Sequence, residues 1–249
     1  MPVVRKLEVA PVKALATSER QSVHLGPTGV DEDRRLFLLQ DDGAVATLRR
    51  HPSLTRVAAD LDLAAGTLSI TLPNGSTATS TLDTAGEPVS ARLFGKDRPG
   101  RVLGGNVGPA LSEYAGVALR LVLADGPGVG WDEGPVSVLS TASIAALAAD
   151  AGSDHLLPAR YRMLVTIDGT QPYEEETWVG RQVRFGEATV GITKALGRCV
   201  VINASPVTGE RDWDGLATLA KRRRGTQLGA IGVVVTPGRV SVGDELEVL

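Results

Sequence analysis

The residue best suited to chemistry in this 249-residue chain is Cys199, its single cysteine. It follows Leu196-Gly197-Arg198 and precedes the apolar run Val200-Val201-Ile202. A lone thiol cannot form a disulfide within the chain. It can be a small buried hydrophobe, a reactive nucleophile, or a soft ligand to a bound group. The residues around Cys199 must decide among these three roles.

Several arginines lie at the ends of apolar runs, and one of them adjoins the cysteine. Arg34 and Arg35 precede one such run, Arg160 and Arg162 precede another, and Arg198 is next to the thiol. A guanidinium can bind phosphate through two hydrogen bonds, and a nearby positive charge favours a thiolate. The pattern predicts an anionic, phosphate-bearing ligand near a thiolate. For each arginine alone, the alternative is a surface ion pair with a nearby Asp or Glu.

Other common kinds of site find little support in the sequence. It contains neither a G-x-x-x-x-G-K-[ST] motif nor a G-x-G-x-x-G motif that opens a helix, and we interpret the glycine-rich segment 126–130 as a loop. His24, His51 and His155 are scattered, without the spacing of zinc ligands. A Cys–His hydrolase stays open in principle, because the sequence does not show whether a histidine approaches Cys199.

Composition narrows the class of partner. The formal net charge is −3, so no general electrostatic attraction to nucleic acid is expected. The first residues lack the apolar core of a signal peptide, and no stretch reaches the roughly 18 consecutive apolar residues of a membrane helix. A single cysteine suits a reducing compartment. We therefore expect a cytoplasmic protein with no nucleic-acid or membrane partner.

The elements that must position these residues are mostly short strands. The chain has 29 glycines and 14 prolines at short intervals, which is typical of many short strands joined by turns. Alternation predicts strands at 3–9 and 67–72, and the apolar run 36–39 is predicted to turn back onto 45–48. Residues 1 to about 90 are therefore predicted to form a meander or small barrel.

The second half of the chain is predicted to mix strands with three short helices. The predicted strands and hairpins are 119–123, 183–190 and 231–249, and the predicted helices are 110–115, 144–149 and 215–224. Ser140 and Thr141 are interpreted as N-cap residues of the second helix. Residues 95–108 are turn-rich and either connect two domains or form a long surface loop. The acidic run 174–176 is interpreted as a solvated loop. The basic run 221–224 either complements the helix dipole or binds an anion or a partner.

Six short segments, in order along the chain, carry a more specific signal. They are Val9-Ala10-Pro11-Val12-Lys13, Gly29 with Asp33-Arg34-Arg35, Thr47 to Pro52, Arg160-Tyr161-Arg162, Gly197-Arg198-Cys199 with Pro206 to Gly209, and Gly238 to Asp244. They resemble the Y-P-V-K-S, G-x-x-x-D-R, T-x-R-x-x-P, R-F-R-P-N, C-S-R-C with D-P-x-T-G, and G-x-I-x-V-G-D motifs of MOSC proteins, a family named for the C-terminus of molybdenum cofactor sulfurase. Within that family the chain is similar to the amidoxime-reducing component of mitochondria and its bacterial counterparts.

The resemblance implies a fold and a domain division. The expected fold is mainly β, with two β-barrel-like domains and a few short helices in an α+β arrangement. The N-terminal MOSC β-barrel domain would span 1–92 and the MOSC domain 93–249, with a connector at about 93–108. A cofactor cleft would lie between the two domains.

The resemblance also implies the ligand and its contacts. The molybdenum cofactor (molybdopterin) would occupy the cleft, with Cys199 as the ligand to molybdenum and the catalytic residue. The implied cofactor contacts are Lys13, Arg34, Asp132, Arg162 and Arg198. A soft thiolate suits a soft metal, and lysine and arginine neutralise the phosphate of the pterin. The protein would bind and orient the cofactor, which performs the redox chemistry.

The chain departs from the family pattern at several of these positions. Ala14 replaces the serine after the lysine, Leu196 and Gly197 replace the cysteine and serine before Arg-Cys, and Ser205 replaces the aspartate before Pro206. Met163-Leu164 stands where Pro-Asn is expected. We expect these changes to remove side-chain hydrogen bonds to the cofactor, each of about 0.5–1.5 kcal/mol.

The leading prediction is a molybdenum-cofactor-dependent oxidoreductase that reduces N-hydroxylated or N-oxygenated small molecules, independently of pyridoxal phosphate. One cysteine cannot supply the four ligands that an iron–sulfur cluster usually takes, so an external electron-donor protein of ferredoxin or flavin type is required. One alternative is a sulfur carrier with a persulfide on Cys199. Another is a repurposed MOSC protein without the cofactor, or one that stores it without turnover.

Overall fold

The computed structural model describes residues 1–83, 85–152, 157–223 and 225–249; His155 and Arg224 lie outside these ranges. Its strands are β1 (Val3–Val9), β2 (Ser18–Arg20), β3 (Ser22–Leu25), β4 (Leu36–Gln40), β5 (Ala58–Asp62), β6 (Thr67–Thr71), β7 (Thr77–Thr81), β8 (Pro88–Leu93), β9 (Lys96–Val102), β10 (Leu119–Ala124), β11 (Val136–Ser140), β12 (Val165–Asp168), β13 (Gln182–Phe185), β14 (Ala188–Gly197), β15 (Gln227–Thr236), β16 (Gly238–Ser241) and β17 (Leu246–Val248). Its α-helices are α1 (Val107–Ala115), α2 (Thr141–Asp150) and α3 (Gly215–Arg223).

The strands form four sheets. An eight-stranded sheet has the order β17-β13-β14-β15-β11-β12-β1-β2, and a four-stranded sheet has the order β4-β10-β9-β8. Strands β5, β6 and β7 form a three-stranded sheet, and β16 pairs with β3. The prediction of a mainly β fold with a few short helices is confirmed. None of the helices in the described ranges has the length and apolar character needed to cross a membrane.

Strand pairing crosses the predicted division at residue 92. Strand β1 runs antiparallel to β12, with Leu7 opposite Val165, and so lies in the large sheet of the second half. Strand β10 runs antiparallel to β4, with Leu121 opposite Leu38, and so lies in a sheet of the first half. Each half therefore contributes a strand to a sheet of the other half. The main-chain hydrogen bonds of these two strands fix the walls of any cleft between the halves.

Strand β4 shows how the sequence produces this packing. All five of its residues are buried. Because side chains alternate between the two faces of a strand, Leu36 and Leu38 pack into one apolar cluster with Leu121 and helix α1, whereas Phe37 and Leu39 pack into another. A continuous apolar run is what a strand covered on both faces requires.

Several predicted elements differ in the structure. Residues 96–102, within the predicted connector, form β9, which pairs with β8 and β10. Residues 45–48 contribute only an isolated bridge between Val45 and Leu39 instead of a strand. The predicted closing hairpin is wrong, because β15 pairs with β11 and β14 while β16 pairs with β3. Pro237, which lacks an amide hydrogen, marks the point where the chain leaves one sheet for the other.

The acidic run 174–176 is not a solvated loop, so that interpretation was wrong. Glu175 is fully buried, and its carboxylate accepts hydrogen bonds from the Ser143 hydroxyl at 3.0 Å and the Ser140 amide at 3.3 Å. Ser140 is the N-cap of α2, as predicted, and its hydroxyl accepts from the Ser143 amide at 3.0 Å. The run therefore anchors the start of α2. Burial raises the pKa of Glu175.

Arg160 stabilises the fold, although the sequence analysis named it among the arginines that could bind phosphate. Its side chain is 0% exposed and forms two hydrogen bonds with Asp212, of 2.8 and 3.1 Å. It also donates to the Ile202 carbonyl at 3.2 Å, in the 3₁₀ turn that follows Cys199. This arginine therefore fixes the position of the chain just after the thiol.

Replacing Arg160 should destabilise the protein. Arg160→Met leaves Asp212 and the Ile202 carbonyl without this donor, so we expect the free energy of unfolding to fall by about 2–3 kcal/mol. Urea denaturation followed by circular dichroism measures the change. Arg222→Met is the control, because Arg222 is exposed and 3.9 Å from Asp150; its effect should stay within about 0.5 kcal/mol. Equal effects of the two substitutions would contradict the structural role of Arg160.

Candidate functional site

A cavity of about 200 Å³ is lined by residues from both halves of the chain. The six residues predicted for the site all line it: Lys13, Arg34, Asp132, Arg162, Arg198 and Cys199. They come from segments that are far apart in sequence. The structure thus brings the predicted residues together at one cavity.

Main-chain pairing places the first two cations side by side. The Lys13 amide donates to the Leu36 carbonyl at 2.8 Å, and the Arg34 amide donates to the Ala10 carbonyl at 2.7 Å. The Asp33 carboxylate accepts from the Ala10 amide at 2.8 Å. The segment after β1 therefore lies along the segment before β4. This contact explains why Lys and Asp-Arg occur at these positions.

Lys13 is a buried ammonium group in a crowded electrostatic setting. It is 5% exposed, and its Nζ lies 2.7 Å from Oδ1 of Asp132, an exposed residue. Burial lowers the pKa of Lys13 to about 8. Asp132 opposes this shift, whereas Arg34 and Arg162 add to it. The surroundings thus partly disfavour the charge that Lys13 carries at neutral pH.

The arginines add positive charge without equal compensation. Arg34 forms an ion pair with Asp33, and its Nη2 donates to the Arg162 carbonyl at 3.2 Å. Arg162 forms no ion pair within the described ranges, and burial, together with Arg34, lowers its pKa to about 10. Arg198 likewise has no carboxylate partner in the described part of the chain, and burial lowers its pKa to about 10.

Arg198 is held beside the thiol by three contacts. Its Nη2 donates to the Tyr161 carbonyl at 2.5 Å, and its Nη1 lies 3.1 Å from Sδ of Met163. Its guanidinium carbon is 5.6 Å from the centroid of the Tyr161 ring, a cation–π distance. The neighbouring Cys199 is half-buried and begins the 3₁₀ turn Val200–Asn203. A cation is thus fixed next to the only thiol.

Neither of the two described histidines lines the cavity. His51 Nε2 lies 2.7 Å from Oε1 of Gln40, and His24 is in β3, which pairs with β16. In the described structure, therefore, no histidine is placed to activate Cys199 as the base of a hydrolase.

Strained backbone is concentrated at the cavity. Among the described residues, five other than glycine have positive φ: Ala14, Arg34, Phe94, Arg162 and Tyr173. The first four of these line the cavity. Such conformations cost about 1–3 kcal/mol each and persist where the surrounding structure enforces them. The fold therefore gives up stability at this place in order to set the direction of the cavity side chains.

The glycine-rich segment 126–130 positions Asp132. A Cβ at Gly130 would lie 2.2 Å from the Arg34 carbonyl oxygen, and a Cβ at Gly128 would lie 2.8 Å from the Trp131 ring. Glycine is required at both positions because the loop passes so close to Arg34 and folds around Trp131. The segment is a loop, as interpreted, and its close packing brings Asp132 to Lys13.

The departures from the family motifs have different consequences. Ser205 does not line the cavity; its hydroxyl accepts from the amides of Val207 and Thr208 and so closes a turn. The expected loss of a cofactor contact at Ser205 is therefore wrong, since an aspartate could make the same turn. Leu196 is buried in an apolar cluster while also lining the cavity. At Gly197, a Cβ would meet only Thr226, at 3.8 Å.

Sequence reasoning missed several residues that line the cavity. Arg49, Phe94, Trp131 and Tyr161 all contribute to its wall. Arg49 could have been found, because it is the arginine of the T-x-R-x-x-P motif. Phe94 carried no signal, since nothing in its local sequence indicates that a turn at this point reaches the cavity.

Comparison with protein families agrees with this fold. The family model described as the MOSC domain matches residues 100–247, and the model described as the MOSC N-terminal beta barrel domain matches residues 1–118. The class of protein is thus a barrel-forming β protein with a cationic cavity between its halves. The chain belongs to the MOSC family.

The individual proteins to which the chain is similar share only low sequence identity with it. The molybdenum cofactor sulfurase of Danio rerio is 26% identical over 255 residues, covering 88% of this chain and 30% of that protein. The molybdenum cofactor sulfurase of Anopheles gambiae is 26% identical over 234 residues, covering 79% of this chain and 29% of that protein. The chain therefore spans less than a third of the length of these curated relatives. The crystal structure of the YuaD protein from Bacillus subtilis aligns with 100% of this chain and 96% of its own, at 13% identity and a TM-score of 0.49.

Removing the charge of Lys13 should stabilise the unliganded protein. Lys13→Met keeps the length of the side chain and deletes a buried charge that Arg34 and Arg162 disfavour. Asp132 is exposed and also lies near those two arginines, so it is not left without cations. We expect the free energy of unfolding at pH 7 to rise by about 1–2 kcal/mol, as urea denaturation can measure. Lys194→Met, at an exposed lysine paired with Glu133, is the control and should change little.

The pH dependence tests the same point. The folded-state pKa of Lys13 is about 8, below its ordinary 10.5, so the unfolded chain binds more protons between these values. The stability of the wild-type protein should therefore gain a rising contribution across this range, which Lys13→Met lacks. A Lys13→Met variant that is less stable than wild type at pH 7 would contradict the cost assigned to this charge.

Proposed function

We propose that this protein binds a molybdenum cofactor in the cavity. Cys199 would supply the thiolate ligand to the metal, and Lys13, Arg34 and Arg162 would hold the phosphate of the pterin. The observation that carries the proposal is that the only thiol shares a cavity with buried and half-buried cations that outnumber the carboxylates around them. Asp33 and Asp132 balance Arg34 and Lys13, which leaves Arg162 and Arg198 for an anionic ligand.

The residues present fit such a group. Burying a charge without a partner is costly, and a phosphate would supply the missing partner for Arg162. A thiolate is the kind of ligand that soft metal centres prefer. Gly197 leaves space beside Cys199, since a Cβ there would meet only Thr226. The strained backbone at Ala14, Arg34 and Arg162 is the form of preorganisation that ligand sites show.

When bound, the cofactor would supply a centre that exchanges two electrons. The chain itself would hold and orient it: Arg198 would balance the charge of the Cys199 thiolate, and Lys13 would provide an ammonium Nζ on the wall of the same cavity. The Nζ of Lys13 lies 2.7 Å from Oδ1 of Asp132, which holds the ammonium group on this wall. Lys13 thus offers a fixed positive charge to the phosphate.

We propose further that the reaction is the reduction of N-hydroxylated or other N-oxygenated small molecules. In this reaction the N–O bond breaks, and two electrons and two protons convert the hydroxylamine group into an amine and water. The electrons would come from an external donor, since the single cysteine of this sequence cannot hold an iron–sulfur cluster. An acidic donor protein would contact Lys221 and Arg222, since Arg223 already forms two hydrogen bonds with Glu176.

A second candidate function is sulfur transfer, which the similarity to two molybdenum cofactor sulfurases favours. A persulfide donor would pass its outer sulfur to the Cys199 thiolate, leaving the donor as a thiolate and Cys199 as a persulfide. Incubation with a cysteine desulfurase and cysteine should then add the mass of one sulfur atom at Cys199, labile to reductant. Its absence by mass spectrometry would exclude this function.

Molybdenum content tests the ligand role of Cys199. Protein from a host that makes the cofactor should contain close to one molybdenum atom per chain, measured by elemental analysis. Cys199→Ser should lose most of the metal, since an alcohol is a poor ligand for a soft metal at neutral pH. Equal, stoichiometric molybdenum in wild type and Cys199→Ser would remove the ligand role. Bound metal without reductase activity, given a competent donor, would indicate storage.

Arg162 should contribute to retaining the cofactor. Arg162→Gln removes a charge-assisted hydrogen bond to phosphate, worth about 1.5–3 kcal/mol, so the affinity for the cofactor should fall about 10- to 100-fold and less molybdenum should remain after gel filtration. Arg101→Gln is the control, because Arg101 is an exposed arginine on β9 outside the cavity. Undiminished retention in Arg162→Gln would show that this arginine does not contact the phosphate.

A further inference from the structure

The hairpin between β8 and β9 has an unusual residue at its tip. Leu93 pairs with Lys96, so only Phe94 and Gly95 form the loop. Their φ angles of 49° and 76° are those of a type I′ turn. Such turns favour Asn-Gly, Asp-Gly or Gly-Gly, because both positions lie in the left-handed region. A phenylalanine at the first position is therefore unfavourable for the turn itself.

Packing does not account for Phe94 either. It is 56% exposed, whereas its hairpin neighbours Ala91 and Leu93 are buried in an apolar cluster. Phe94 instead lines the cavity, and because it is largely exposed it lies where the cavity opens to solvent, which we call the mouth. A large apolar side chain is thus held in strained backbone, largely in solvent, beside the proposed ligand site.

The Phe94 ring lies against a cation that forms no ion pair in the described structure. The guanidinium carbon of Arg49 lies 5.1 Å from the ring centroid, a cation–π distance, and Arg49 also lines the cavity. Arg49 is exposed, and among the described residues no carboxylate lies within ion-pair distance of it. The mouth therefore presents an aromatic surface next to an uncompensated positive charge.

Main-chain hydrogen bonds fix the two side chains relative to each other. The Val45 amide donates to the Arg92 carbonyl, and the Arg92 amide donates to the Gly43 carbonyl, both at 3.0 Å. Phe94 follows Arg92 by two residues, and Arg49 follows Val45 by four. The pair is consequently built from two connected segments and does not depend on a chance contact of exposed side chains.

We propose that Phe94 and Arg49 form a recognition site for small molecules that carry an aromatic ring with a carboxylate. The ligand ring would stack on the exposed part of Phe94, and its carboxylate would pair with Arg49. This inference rests on the proposed function only in treating such a ligand as substrate. It narrows the proposed N-oxygenated substrates to those with a planar aromatic ring and a carboxylate. The inner cations are left for the cofactor; they are Lys13, Arg34, Arg162 and Arg198.

Binding of two matched acids tests the proposal without any need for activity. Benzoate and cyclohexanecarboxylate share charge and size, but only benzoate has a planar ring. Isothermal titration calorimetry on the wild-type protein should give at least fivefold tighter binding of benzoate. Phe94→Leu should bind both acids with equal affinity, and Arg49→Gln should weaken both at least fivefold. Arg92→Gln, at an exposed arginine of the same hairpin, should match wild type.

Three results would overturn the proposal: a benzoate preference that survives in Phe94→Leu, affinity lost equally in Arg92→Gln, or affinity lost in Arg162→Gln but kept in Arg49→Gln. The last result would show that the acid binds at Arg162 and not at Arg49. Phe94→Asn adds a check on folding, because asparagine suits the turn; its melting temperature should rise while the preference disappears. A fall in melting temperature would assign Phe94 to stability. The binding result can be read whether or not the protein contains molybdenum, so failure of the proposed function is a separate outcome.

Discussion

Burial of positive charge beyond what the nearby carboxylates can balance is the constraint on which the rest of this structure depends. Lys13 and Arg34 each have a carboxylate partner, whereas Arg162 and Arg198 have none in the described ranges. Such an arrangement is unfavourable for an empty protein, and burial lowers the pKa values of three of these groups. It becomes favourable when an anion enters. The excess of positive charge in the cavity is therefore explained by the binding of an anion.

The fold must hold these charges against their mutual repulsion, and strand pairing across the two halves does so. Strand β1 lies in the sheet of the second half, and the residues that follow it run beside the segment that carries Arg34. Strand β10 returns to the sheet of the first half. Moving one half away from the other would break both ladders. Positive φ angles at Ala14, Arg34 and Arg162 can persist because the backbone around them is fixed in this way.

The sequence was informative where a residue type answers a local physical need. Alternation and apolar runs predicted β1, β4 and β6, and a serine before an alanine-rich run predicted the start of α2. The order of the family motifs along the chain predicted six residues that line one cavity. It failed where partners are distant: the closing hairpin was misassigned because the pairing of β16 with β3 joins residues about 200 positions apart. Glu175 was taken as solvated because only the fold places two serines around it.

Charge and backbone strain together distinguish residues that suit a ligand from residues that stabilise the fold. Arg160 is as cationic as Arg162, yet it has a bidentate partner in Asp212 and ordinary backbone, so its burial supports the fold. Arg162 is half-buried, has strained backbone and has no ion-pair partner among the described residues, so an anionic ligand would compensate its charge. The same comparison of charge and backbone strain applies at the mouth of the cavity. There the fold accepts an unfavourable turn at Phe94 next to Arg49, which has no ion-pair partner in the described part of the chain. A fold selected for stability alone would place asparagine at that position. The inner cations and the aromatic, cationic mouth therefore correspond to the two adjacent sites that we propose, one for a phosphate-bearing cofactor and one for the molecule on which it acts.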